Sequence, residues 1–173
     1  MAQKSEKGSE RREKPGSPGR VETIQIVEFV LGSEAFAIDL FDVKEVVEYT
    51  TITKMPDVPS YIRGIIDLRG EITTIIDLKQ RLGIADAGEQ PMESARIIVL
   101  DTRATKAKSG ILVDDVTSVS MVEPSQVDYS SATTGQRNSS IIGIIKKKIS
   151  VKDKEKNDLI IWIDIRKILE GSL

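Results

Sequence analysis

The sequence predicts a mainly β protein: two small antiparallel barrels packed against one another, with short helices after the strands. Two observations carry this expectation. Short runs rich in Ile and Val recur along the chain, separated by turn residues. The order strand, strand, Asp, short helix also occurs twice: once over Tyr61 to Leu78, and again as Ile142 to Ile145 followed, after a charged insertion, by Leu159 to Leu169. A chain that repeats an architectural unit and carries almost no catalytic chemistry reads as a binding scaffold.

Val21 onward has strand-like patterning. Ile24, Ile26, Phe29 and Leu31 mark a first strand, Gly32-Ser33-Glu34 a turn, and Ala35 to Ile38 a second strand. Val43, Val46 and Val47 fit a third, favoured over a helical turn by β-branching. Met55-Pro56-Asp57-Val58-Pro59 is excluded from regular structure because each proline lacks a ladder donor and restricts its predecessor, so it is a loop with exposed apolar residues. Ile62 to Leu68 and Glu71 to Ile76 are two strands joined at Arg69-Gly70. Asp77 is placed to cap a short helix, with Gln80 at its third position and Gly83 at its end.

Residues 84–94 read as a linker. The second half then restates the first, with strands at Arg96 to Leu100 and Ser109 to Val113. Asp115-Val116-x-x-Val119 echoes Asp42-Val43-x-x-Val46, and Met121 to Pro124 stands in the place of Thr53 to Pro56. A polar loop over Ser130 to Ser140 precedes Ile141 to Ile145, and Lys146-Lys147-Lys148 opens a charged hairpin excursion ending near Asp158. Leu159 to Ile163 is apolar on both faces and is expected to be a central strand, with Trp162 in the core. Asp164 caps a closing helix that Gly171 ends. The expected division is a disordered tail over 1–20, a first barrel over roughly 21–90 and a second over roughly 91–173, with the C-terminal segment free to pack across both.

Composition narrows the function. The 173 residues are enough to bury a real core. The chain has no Cys and no His, which removes disulfides, thiolate and imidazole metal ligands, the Ser-His-Asp triad and any phosphoryl-carrying histidine. A net charge of −2 and an aromatic content of 4% argue against nucleic-acid binding. No stretch approaches a membrane span, and the N-terminus has no apolar block of a signal peptide, so the expected location is cytoplasmic. No phosphate-cradling GxxxxGK or GxGxxG loop is present. Asp114 and Asp115 are adjacent on a strand and point to opposite faces, which leaves no convergent acid pair for a carboxylate-dependent hydrolase or a magnesium site. No cofactor and no metal are expected. Arg69, at a tight turn, can either project into solvent or fold back onto a carboxylate from a neighbouring strand, with Glu45 the candidate partner.

The residues that carry a family resemblance are Phe29-Val30-Leu31-Gly32, Ala37-Ile38-Asp39-Leu40, Val43-Lys44-Glu45-Val46, Met55-Pro56, Gly64-Ile65-Ile66-Asp67-Leu68-Arg69-Gly70 and Ile75-Ile76-Asp77-Leu78. With Ile97 to Leu100, Gly110 to Asp114 and Ile161 to Ile165, they closely resemble the chemotaxis coupling proteins of the CheW family. Asp67 stands where that family's Gly-x-x-Asn-Leu-Arg-Gly signature has Asn. The resemblance implies a non-enzymatic adaptor of two SH3-like five-stranded antiparallel barrels. It would link the cytoplasmic tips of methyl-accepting chemotaxis receptors to the regulatory domain of the histidine kinase CheA, without inserting into the membrane, within arrays anchored there by its partners. Carried over by position, it implies a kinase-facing surface at Val27, Leu40 and Val43, and receptor and kinase coupling through Glu45, Gly64, Asp67, Arg69 and Gly70. A coupling protein of another kinase pathway, in motility or gene regulation, shares the same features.

Overall fold

The computed structural model describes residues 22–85, 91–130 and 140–172. The expected disordered tail and most of the Ser130 to Ser140 loop lie outside them. Eleven strands are described, β1 Ile24–Leu31, β2 Glu34–Asp39, β3 Val43–Glu48, β4 Ile62–Leu68, β5 Glu71–Asp77, β6 Arg96–Leu100, β7 Ser109–Val113, β8 Asp115–Val122, β9 Val127–Asp128, β10 Ile141–Val151 and β11 Lys154–Ile163. Two short helices, α1 Leu78–Leu82 and α2 Ile165–Leu169, each follow a capping aspartate. Asp77 accepts from the Gln80 amide at 3.3 Å and Asp164 from the Lys167 amide at 3.2 Å, so both predicted caps form. The predicted mainly β architecture of two SH3-like units is the observed one.

The strands form a five-stranded sheet, β3-β6-β7-β5-β4, and a six-stranded sheet, β8-β1-β2-β11-β10-β9. Pairing is antiparallel except for β5 with β7 and β2 with β11, one parallel pair in each sheet. The sheets do not follow the two halves of the sequence, which corrects the expected barrel boundary near residue 90. The repeat itself is real: β1-β2-β3-β4-β5-α1 is followed by β6-β7-β8-β10-β11-α2, and Thr53 bridges Ile65 of β4 as β9 pairs with β10. Each repeat, however, gives its first hairpin to the other repeat's sheet. β1 and β2 join the sheet of β8 to β11, while β6 and β7 join the sheet of β3 to β5.

This exchange explains why so many strands are apolar on both faces. One core lies inside the five-stranded unit around Ile66, Ile75, Ile97 and Val99, and another inside the six-stranded unit around Ile26, Ala37, Ile145, Ile160 and Trp162. The largest, with Val27, Phe29, Leu31, Ile38, Ile76, Ile98, Leu100 and Ile111, takes side chains from both sheets. Alternation sends Ile75 to one core and Ile76 to another, and the same holds for Ile97 and Ile98 and for Ile26 and Val27. At about 1.5–3 kcal/mol for each large side chain fully buried, this shared core is the main force joining the two sheets.

The chain passes between sheets twice, and a buried aspartate stands at each crossing. After β2 the chain makes a 3-10 turn over Leu40–Asp42, where Asp42 meets Arg166 of α2 at 2.8 Å. Between β7 and β8, Asp114 meets Lys79 of α1 at 2.9 Å and accepts from the Gly32 amide at 2.7 Å. Lys79 and Arg166 both sit two residues after their helix-capping Asp, so the two ion pairs are counterparts.

Candidate functional site

The hairpin of β4 and β5 turns at Arg69-Gly70, with φ of 52° and 83°. Positive φ at both central residues gives the twist of a type I′ turn, the geometry that suits a two-residue hairpin and favours Gly at its second place. Asp67 Oδ1 accepts from the Gly70 amide at 2.7 Å and fixes the turn. This contact needs only an acceptor oxygen, so an aspartate serves where the signature has an asparagine.

Arg69 reaches β3 and meets Glu45 with two parallel hydrogen bonds, Nη1 to Oε1 at 2.9 Å and Nη2 to Oε2 at 2.8 Å. The pair predicted from sequence therefore forms, in its bidentate geometry. β3 and β4 are the two edges of the five-stranded sheet, so the pair ties one edge to the hairpin of the other. Beside it Lys108 meets Glu71 at 2.6 Å, and that hydrogen bond holds the Glu71 carboxyl below its ordinary range.

Gly64 has a structural reason to be glycine. Its φ is +143°, and a Cβ built there would lie 2.0 Å from the Thr53 carbonyl oxygen. The close approach is what allows Thr53 and Ile65 to exchange two backbone hydrogen bonds of 2.9 Å. Those bonds dock the predicted proline loop, in which Met55 is exposed and Val58 half-buried. The positions expected to couple thus fall on the β4–β5 hairpin and on the edge strand β3 that it reaches. Gly64 and Gly70 set the backbone, Asp67 fixes the turn, and Glu45 and Arg69 form the exposed charged link.

The positions expected to face the kinase separate. Val27 is fully buried in the shared core, which corrects its expected place on the surface: β1 lies between two cores and has no free face at that residue. Leu40 and Val43 are half-buried and line a groove of about 840 Å³ where the two sheets meet. Ile24, Gln25, Phe41 and Arg103 line the same groove.

Phe41 is 61% exposed, and the Arg103 guanidinium lies over its ring, 4.3 Å from the centroid. Arg103 is held in turn by Asp101, Nε to Oδ1 at 3.0 Å and Nη2 to Oδ2 at 3.2 Å, and this pairing lowers the Asp101 carboxyl below its ordinary range. At the base of the same turn, burial pushes the Asp42 carboxyl above its ordinary range despite the opposing pull of Arg166.

The apolar surface continues beyond the groove. Gln25 is paired with Met121 and Val27 with Val119 across β1 and β8, and directly paired residues share a sheet face. Met121 and Val119 are 67% and 60% exposed. Val27 therefore lies beside Val119 on the same sheet face, covered in the shared core while Val119 on the edge strand is open. Sequence reasoning missed Phe41, Val119 and Met121. The available signal for Phe41 was a large apolar residue between two aspartates where no strand continues. For Val119 and Met121 it was an apolar and serine alternation whose serines, not whose apolar residues, face inward.

A larger groove of about 1050 Å³ is lined by Tyr49, Arg63, Asp77, Lys79, Met92 and Asp114 among others. Its carboxylates are already engaged: Asp77 caps α1 and Asp114 holds Lys79 and Gly32. Asp115 belongs to β8 and pairs with Val30, so it does not converge with Asp114. Among the described residues no group of three or more acidic side chains could hold a metal ion. No described helix is long and apolar enough to cross a membrane.

Comparison with known proteins accounts for this arrangement. The sequence model of the CheW-like domain matches residues 25–172. The chain is 30% identical over 148 residues to the chemotaxis protein CheW of Thermotoga maritima, covering 84% of this chain and 87% of that protein. It is 31% identical over 155 residues to the CheW of Treponema pallidum, covering 87% and 84%. The crystal structure of the scaffolding protein TtCheW from Thermoanaerobacter tengcongensis superposes with a TM-score of 0.68 at 34% identity, covering 86% of this chain and 94% of that one. The chain belongs to the CheW-like domain family.

Proposed function

We propose that this protein is a non-catalytic chemotaxis coupling scaffold that joins the histidine kinase CheA to the cytoplasmic tips of chemoreceptors in the cytoplasm. The observation that carries the reading is the family match over residues 25–172, together with the Glu45 to Arg69 link at the signature hairpin. The physical design suits a positional role. Two sheets sharing one core form a stiff body, and its exposed features are a charged hairpin on one unit and an apolar stripe where the two units meet.

In this reading, Leu40 and Val43, with Phe41 beside them, face the kinase regulatory domain, while Val27 supports them from below. Glu45, Gly64, Asp67, Arg69 and Gly70 form the coupling edge. The scaffold holds kinase and receptor in a fixed relation, so a receptor state that favours one kinase conformation shifts the kinase equilibrium by its differential affinity. Calorimetric titration with the CheA regulatory domain and, separately, with a receptor-tip fragment tests this. Saturable binding of both is expected. Failure of both, with a folded protein, would overturn it.

A further inference from the structure

β10 and β11 stay paired in register from Lys146↔Leu159 to Val151↔Lys154, beyond the last residues at which their neighbours β9 and β2 join them. The pair therefore continues as a two-stranded ribbon past the sheet, about 20 Å long at ~3.3 Å per residue. Lys147 anchors its root, donating to both oxygens of the buried Glu28 at 3.2 Å. Every residue from Lys152 to Leu159 is exposed. Lys148, Lys152, Lys154 and Lys156 have no acidic partner within ion-pair distance among the described residues.

The charge is segregated. Residues 146–158 contain six lysines and three acids, whereas outside 1–20 and 146–158 the chain carries thirteen bases and twenty-one acids, a net −8. Lysine is a common protector of ribbon edges, but on this chain it also gives the ribbon the opposite sign to a body of net −8. We propose that the ribbon is a docking arm for an acidic segment of a partner protein, held clear of a body that repels it.

Two features favour a protein segment over a lipid or nucleic-acid surface. Asp153, Glu155 and Asp158 interrupt the lysines, which weakens the uninterrupted positive field that a membrane or polyphosphate needs. The ribbon also has no aromatic residue to insert between lipids or to stack on bases. Among the described residues no strand pairs with the outer backbone edges of this ribbon, which can accept an added extended strand whose acidic side chains would then stand beside the lysines.

The test uses the full chain and a fluorescently labelled octapeptide of alternating Glu and Val, read by anisotropy at low and high salt. Binding that weakens as salt rises is expected. Replacing Lys148, Lys152, Lys154 and Lys156 together by Gln should weaken it about thirtyfold, four exposed pairs each contributing roughly twofold to threefold. The four corresponding Lys→Arg replacements should retain binding and control for folding of the ribbon. Absence of peptide binding, equal binding by the Gln variant, or tighter binding of phosphatidylserine vesicles or of oligothymidylate than of the peptide would each overturn the proposal.

Discussion

Replacing Gly64 by Ala tests how the signature hairpin is built. At φ +143° an L side chain is strained wherever it points, and the new Cβ would meet a backbone oxygen 2.0 Å away, a contact that no rotamer change relieves. A backbone held in a glycine-only region costs about 1–3 kcal/mol. Separating Thr53 from Ile65 would sacrifice two hydrogen bonds worth roughly 1 kcal/mol each. The expected loss is therefore about 3–5 kcal/mol, a large part of the roughly 5–15 kcal/mol that holds a domain of this kind together. Urea denaturation should show the midpoint falling by more than about 1 M, given a slope of ~1–3 kcal/mol/M. Hydrogen exchange should show the amides of Thr53 and Ile65 losing protection before those of Ile75 and Ile97. A loss below about 1 kcal/mol, or unchanged protection at Thr53 and Ile65, would refute the claim that Gly64 is fixed by the approach of the proline loop.

Arg69→Ala should cost less than about 1 kcal/mol of stability, because the arginine is 73% exposed, while weakening partner binding; Arg69→Lys should fail to restore it, since a single ammonium cannot reproduce the bidentate pair, and calorimetry of the three proteins checks this. Asp114→Ala removes a buried carboxylate together with its ion pair to Lys79 and its hydrogen bond from the Gly32 amide, so chemical denaturation should show a loss of about 3 kcal/mol. For Glu28, burial raises the carboxyl pKa, but hydrogen bonds from Ser118, Lys147 and Ser120 outweigh it and hold it below the ordinary value of 4.5. A lowered folded-state value means that its stabilisation is fully present above that ordinary value and is lost as pH falls through the folded one. Denaturation midpoints of the wild type and Glu28→Gln, well separated at neutral pH, should therefore converge below pH 4.5.

The elements legible in the sequence were those set by local chemistry. Asp77 with Gln80 and Gly83, and Asp164 before its helix, announce caps whose partners lie three residues away, and Arg69-Gly70 announces a turn. The two-part repeat was legible because both copies retain the capping Asp and the Gly that follows the helix. Which hairpin joins which sheet was not. β1 and β6 are apolar on both faces whether they complete their own repeat's sheet or the other's, and the choice is made by a long-range core that no window of sequence displays. Val27 fails as a surface residue because its place was carried over from the family resemblance, and position along the chain does not reveal that β1 lies between two cores. The Glu45 to Arg69 pair was legible from an arginine at a tight turn together with the family resemblance at both positions. The apolar stripe escaped because Val119 and Met121 alternate with serines that bind the buried Glu28, so burial runs opposite to polarity along β8. The lysine run was recognised as a charged hairpin, although its strands continue to the tip instead of interrupting the sheet.

The central claim is that this chain transmits receptor state to the kinase by holding both. Its most direct test is the rate of CheA autophosphorylation measured with and without a receptor preparation, in the presence and absence of this protein. The account predicts that receptors change the rate only when the wild-type chain is present, and that the folded Arg69→Ala variant gives a reduced change. A kinase that responds to receptors equally without the chain, or that ignores them when the chain is present and bound to both, would contradict it.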